Sequence, residues 1–244
     1  MYNNFSTLSV NIKQGVAVIV MDNPPVNQLS EHFVAELSAA LNGAFEDSEV
    51  KAVVLTGTGK NFIAGADLKE IYGCREREPL LAKVESASGF LNRIELGPKP
   101  VIAAINGNVL GGGLEIAMAC HYRAVSRDAK LGLPEVQLGL IPGAGGTQRL
   151  PRLIGLTNAL EMIASGAPIS SEKALSRRLV DEVVAPDEVL ETAVEAAHKF
   201  LDGRLPLNIR RTRFKHLRLP SIGELKAVTA EATRKFIRRP EADF

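Results

Sequence analysis

Two glutamates, Glu115 and Glu135, each stand within a few residues of a glycine cluster: Gly111, Gly112 and Gly113 before the first, and Gly143, Gly145 and Gly146 after the second. A carboxyl can give or take a proton, and glycines let a ligand approach the backbone closely. Residues 114–120 read as a helix that starts directly behind Gly113, so free N–H groups are expected at its N-terminus. Such donors suit a phosphate, a carboxylate or an oxyanion that forms only during reaction. Taken alone, each glutamate also reads as an acidic residue complementing the start of a helix, Glu135 directly after Pro134.

The elements that must position these groups follow from hydrophobic patterning. Val101–Ile105 is an unbroken apolar run between Pro100 and Gly107, the signature of a buried strand. Upstream, residues 7–12 and 16–21 read as a hairpin turning at Lys13-Gln14-Gly15. Ser30 caps a helix with Phe33, Leu37, Leu41 and Phe45 at helical spacing, and 53–56 forms another buried strand. Gly65-Ala66-Asp67 lies at a strand-to-helix passage with Asp67 as the cap. Beyond it come a charged surface loop over 73–79 and an amphipathic helix over 80–96. Further helices are expected over 155–165, 171–179, 186–201 and 221–237, with a short strand at 180–184.

Bulk properties narrow the function classes. A chain of 244 residues that is 45% apolar suits one domain with a sizeable core, and a formal charge of +1 excludes a dominant nucleic-acid surface. The basic cluster Arg204, Arg210, Arg211, Arg213, Lys215 and Arg218 has only Phe214 as an interleaved aromatic, so it reads first as a charged helix face and second as a neighbour of anionic phosphates. Cys74 and Cys120 form no CxxC and fit reduced thiols in a cytosolic-type compartment, and the four histidines lack ligand spacing, so no metal is expected. No signal-like N-terminus and no run of roughly 18 to 20 apolar residues occurs, so a soluble, cytoplasmic protein without a membrane partner is expected. Gly57-Thr58-Gly59-Lys60 has the wrong spacing for a P-loop, and neither GxGxxG nor GxSxG is present.

Four segments carry a resemblance: PPVNQLS at 24–30, FIAGADLKE at 62–70, KPVIAAINGNVLGGGLEIAMACHYR at 99–123 and LGLPEVQLGLIPGAGGTQRLPRLIG at 131–155. In these residues the chain resembles the crotonase superfamily and, within it, the enoyl-CoA hydratases, including the hydratase part of multifunctional β-oxidation enzymes. The resemblance implies an α/β fold, the crotonase spiral of ββα units, with the core over 1–200 and a C-terminal helical extension over 201–244. It implies addition of water across the 2,3 double bond of 2-enoyl-CoA, with Glu115 as base on the water and protonated Glu135 as acid toward the α-carbon. The amides of Ala66 and Gly112 would form the oxyanion hole, and the Gly143 amide would help position the water. Ala64, Gly65, Ala66, Asp67 and Leu68 would cradle the adenine end of coenzyme A, with Lys69 toward a phosphate. Coenzyme A belongs to the substrate, so no separate cofactor is implied. Family members usually assemble as trimers or hexamers, so a homotrimer or hexamer is expected. A double-bond isomerase of the same family needs one carboxyl, and a non-catalytic acyl-CoA-binding protein needs neither.

Overall fold

The computed structural model describes residues 2, 4–73, 77–217 and 221–236. Strands β1 (Leu8–Lys13) and β2 (Val16–Met21) form the expected hairpin, with Leu8 opposite Met21 and Gly15 turning the chain at φ 76°. Helix α1 (Glu31–Glu46) follows, and the Ser30 hydroxyl accepts the Phe33 N–H at 3.3 Å as its cap. The chain then runs through β3 (Ala52–Gly57), β4 (Asn61–Ile63), α2 (Leu68–Gly73), α3 (Arg77–Leu96), β5 (Val101–Ile105), β6 (Asn108–Leu110), α4 (Gly112–Ala119), β7 (Tyr122–Ser126) and β8 (Lys130–Gly132). A 3-10 turn at Pro134–Leu138 leads to α5 (Gly146–Ile154), α6 (Leu156–Ser165), β9 (Ile169–Ser170), α7 (Ser171–Ser176), β10 (Glu182–Val184), α8 (Val189–Leu201), α9 (Leu207–Arg210), a second 3-10 turn at Thr212–Phe214, and α10 (Ile222–Phe236).

Two sheets result. One has the order β1-β2-β3-β5-β7-β10 and the other β4-β6-β8-β9; apart from the β1/β2 and β8/β9 pairs, all neighbours are parallel. Each ββ step gives one strand to each sheet, β3 then β4, β5 then β6, β7 then β8, so the chain winds as a spiral of ββα units. The central strands of the larger sheet are buried on both faces: Val53, Leu55, Val101, Ala103 and Ile105 enter the central core, while Val54, Ile102 and Ala104 face the opposite way. That second face is covered by α8 through Val189, Ala193, Ala196, Ala197 and Phe200, where the small alanines admit close approach. Burial on both faces is why β5 reads as a continuous apolar run rather than an alternating one.

Several element boundaries shift from expectation. Helix α3 starts at Arg77, inside the span assigned to a loop; of that loop, 74–76 and with them Cys74 lie outside the described residues. Helix α4 starts at Gly112 and not at 114, because Gly111 at φ 53° is the last non-helical residue. Helix α7 ends at Ser176, strand β10 starts at Glu182 and helix α8 at Val189. Four residues of the basic run after residue 203 have internal partners, and Arg218 lies outside the described residues. Arg204 pairs with Asp202, Arg210 bonds the His121 carbonyl and Asp181, Arg211 bonds the Gly97 carbonyl, and Arg213 bonds Asn92. No described helix is long and apolar enough to cross a membrane.

His121 lies fully buried between β5 and α3, where the Val101 N–H donates to its Nδ1 at 2.9 Å and its Nε2 lies 3.1 Å from the Glu95 carbonyl. Burial pushes its pKa down to about 4, so the ring stays neutral in the fold and gains a proton more readily in the unfolded chain. Between the unfolded value near 6.5 and the folded value near 4, the unfolded state binds more protons, and stability falls as pH falls. The group alone accounts for a loss on the order of 3 kcal/mol across that window. Urea unfolding of wild type and His121→Asn between pH 7 and 4 measures it: the stability difference between the two proteins is expected to shrink on acidification, and a constant difference contradicts the assignment.

Candidate active site

The Gly111–Gly113 cluster is needed for two separate reasons. Gly111 takes φ 53° and ψ −128°, open to glycine but strained for other residues, and its N–H donates to the Gly132 carbonyl at 2.9 Å. A Cβ on Gly113 would sit 2.5 Å from the Ile63 carbonyl oxygen, so glycine there lets α4 start directly against β4. Gly112 is the first residue of α4, and its N–H has no intrahelical acceptor.

Glu115 follows near the end of the first turn, 3% exposed. Its Oε1 accepts the N–H groups of Gly146 at 2.7 Å and Ala144 at 2.9 Å, in the turn that starts α5. Gly146 must be small, since a Cβ there would lie 2.9 Å from the same oxygen. Oε2 is left facing Gly112, 4.0 Å from the place a Cβ on that residue would take. Burial raises the Glu115 pKa, opposed by the two amide hydrogen bonds and by the nearby Arg149 guanidinium.

Glu135 sits in the 3-10 turn, which closes on Gly139 at φ 72°; the sequence had suggested the start of a helix here. Its Oε1 lies 3.2 Å from the place a Cβ on Gly111 would occupy. Its Oε2 is buried and has no hydrogen-bond partner among the described residues. Burial pushes its pKa up to about 7, with repulsion from Glu115 a smaller contribution than its own backbone hydrogen bond, which acts the other way. Burial therefore raises both carboxyls: at Glu115 two amide donors stabilise the carboxylate against it, whereas Oε2 of Glu135 has no such donor among the described residues, and repulsion from Glu115 adds a smaller contribution there.

Ala66 pairs with Leu29 in a single parallel bridge, in which the Leu29 N–H donates to the Gly65 carbonyl at 2.8 Å and the Asp67 N–H to the Leu29 carbonyl at 3.1 Å. In that pattern the N–H of Ala66 itself points away from Leu29. The turn carrying it abuts the turn before α4, with the Gly65 Cα 3.6 Å from the Cβ position of Gly111. Asp67 accepts the Lys69 N–H at 2.9 Å, as a cap should, and also the Gln28 side-chain amide at 2.8 Å. Ala64 is tied by its N–H to the Val26 carbonyl, while Leu68 and Lys69 are exposed. Gly143 is exposed at the mouth of the α5 turn, and a Cβ there would lie 3.8 Å from Val84 of α3. The structure thus brings Glu115, Glu135 and the turns of Ala66 and Gly112 around one space. Sequence reasoning missed the Ala144 and Gly146 amides that hold Glu115, although the second glycine cluster was the available signal.

Among the described residues, no group of three or more His, Cys, Asp or Glu side chains is arranged to hold a metal ion. Comparison with known proteins agrees with the geometry. Residues 11–219 match the family model described as Enoyl-CoA hydratase/isomerase. A probable enoyl-CoA hydratase of Bacillus subtilis is 47% identical over 199 residues, which is 81% of this chain and 77% of that protein. The fatty acid oxidation complex subunit alpha of Shewanella frigidimarina is 48% identical over 192 residues, which is 76% of this chain but only 27% of the larger protein. The chain likewise spans 26% of the peroxisomal bifunctional enzyme of Danio rerio. Among solved structures, an enoyl-CoA hydratase of Bacillus anthracis superposes with a TM-score of 0.78 at 36% identity, covering 96% of this chain and 92% of that one. With the ββα spiral, the paired glutamates and a family match over most of its length, the chain belongs to the enoyl-CoA hydratase/isomerase family of the crotonase superfamily.

Proposed function

We propose that the protein is an enoyl-CoA hydratase, adding water across the 2,3 double bond of 2-enoyl-CoA thioesters to give 3-hydroxyacyl-CoA. The observation that carries this reading is the pair of carboxyls with unlike environments, each keeping one oxygen toward the same space. Electrons must flow from the double bond into the thioester oxygen, and the N–H groups of Ala66 and Gly112 receive the charge that develops there. Glu115, as carboxylate, takes a proton from the water while its oxygen bonds to the β-carbon; Glu135, as acid, delivers a proton to the α-carbon. One proton enters the pair and one leaves it, so its total charge is unchanged and the reverse reaction uses the same two groups. The Gly143 amide helps hold the water, and 64–68 cradle the adenine end of coenzyme A, which enters as part of the substrate.

An isomerase needs a single carboxyl to shuttle a proton, and a second one held at the same space favours hydration. We assign binding and catalysis to 1–200, a covering role to 201–244, a homotrimeric or hexameric assembly and a cytoplasmic location. The test mixes purified protein with crotonyl-CoA. Loss of the conjugated enoyl thioester absorbance and a product heavier by one water are expected; conversion of 3-enoyl-CoA to 2-enoyl-CoA without hydration would establish the isomerase instead. Light scattering at micromolar concentration should give a multiple of the chain mass, and a strict monomer overturns the assembly.

A further inference from the structure

We propose that Arg149 is a positioning residue for Glu115, gripped by the buried Glu95 and acting through the turn at 144–146; its kinetic readout rests on the hydratase reading. Glu95 is fully buried and Arg149 is 6% exposed. The guanidinium Nε and one terminal nitrogen donate to Glu95 Oε2 at 3.1 and 2.9 Å, and the other terminal nitrogen donates to the Ala144 carbonyl at 3.1 Å. Ala144 is the residue whose N–H donates to Glu115 Oε1. A single residue therefore carries both contacts, its carbonyl toward Arg149 and its amide toward Glu115.

The far end of the arrangement is also closed. Glu95 Oε1 accepts the N–H of Arg213 at 2.5 Å, so the segment behind α9 helps to fix the carboxylate that orients Arg149. A buried ion pair is a weak source of net stability, because desolvation of both charges offsets their attraction. It is a good source of geometry, since a guanidinium fork tied at two points cannot swing, and the turn it holds cannot drift from Glu115. Among the described residues, the charged groups that act on or lie behind this site are Arg149 from α5, Glu135 from the 3-10 turn, and Glu95 of α3 and Arg213 behind Arg149. Arg149 is the cation of this group that favours the carboxylate form the base requires.

Two variants separate the contact from the charge. Arg149→Lys keeps a cation but not the fork: kcat for crotonyl-CoA is expected to fall about tenfold, with KM and the acid limb of the pH profile little changed. Arg149→Met loses both: kcat is expected to fall about 10²-fold and the acid limb to move up by about one pH unit. A readout independent of turnover is the infrared carboxyl band that disappears in Glu115→Gln; in Arg149→Met it should titrate at higher pH than in wild type. A purely structural role would lower the melting temperature and leave the kcat and the acid limb of folded protein unchanged, which overturns the proposal, as does wild-type kcat in folded Arg149→Lys. Should Arg149→Met not fold, the lysine variant decides. Should wild type fail to hydrate crotonyl-CoA, the hydratase reading falls, and the infrared titration still judges the positioning role.

Discussion

Glu115→Gln and Glu135→Gln are each expected to lower kcat for hydration of crotonyl-CoA by about 10²- to 10⁴-fold, the range typical of general acid–base catalysis. Glutamine keeps the shape of the side chain and an oxygen that can still accept the Ala144 and Gly146 amides, so Glu115→Gln retains the turn that starts α5. What it loses is the exchangeable proton. Acyl-CoA affinity should survive, because the amides of Ala66 and Gly112 are untouched. In the proposed hydration both groups act on one water and one substrate in a single event, so the double variant should lose much less than the product of the two single losses. Assays of the three variants on 2-enoyl-CoA hydration and 3-enoyl-CoA isomerisation, with binding measured in parallel, check this. An isomerase would respond unequally, with one substitution fatal and the other mild.

Gly112→Pro is expected to cost roughly 10²- to 10³-fold in kcat, equivalent to about 3 to 4 kcal/mol of transition-state stabilisation from one lost oxyanion donor. The structure makes this a cleaner test than the glycine cluster alone implies. Gly112 is the first residue of α4, the position where proline is best tolerated in a helix and where no intrahelical hydrogen bond is lost. A side chain at this position meets chiefly Leu29, whose Cδ1 would lie 2.8 Å from the new Cβ and sits at the end of a flexible side chain. Gly112→Ala retains the N–H and is the control, expected to lose far less. A folded proline variant within about threefold of wild type removes Gly112 from the oxyanion hole.

Much of the fold was legible because the central strands of the larger sheet are buried on both faces and so print as apolar runs, β5 most clearly. The second sheet was not, since β4, β6 and β8 have three residues each and no periodicity can be read in three. Helix α5 was hidden for a different reason: it opens on glycines and contains Pro151, both poor helix signals. At the site, Glu115 and Glu135 stood out by residue type and by the glycines beside them. Their difference in hydrogen bonding did not, because it depends on the turn at 144–146 reaching back about thirty residues to Glu115. The Glu95–Arg149 pair lies 54 residues apart in the chain, and nothing local to either residue announces the other.

The most direct test of unlike carboxyls working as a pair is the pH dependence of kcat/KM for hydration of crotonyl-CoA by the wild-type enzyme. Glu135 must carry a proton to act as the acid, and its pKa is pushed up to about 7 by burial, so the rate is expected to fall as pH rises through that value. Glu115 must be a carboxylate, so the rate should also fall on acidification, giving a bell whose maximum marks the singly protonated pair. A kcat/KM that stays level from pH 6 to pH 9 would contradict the account, because no proton held by Glu135 would then be needed for water to add.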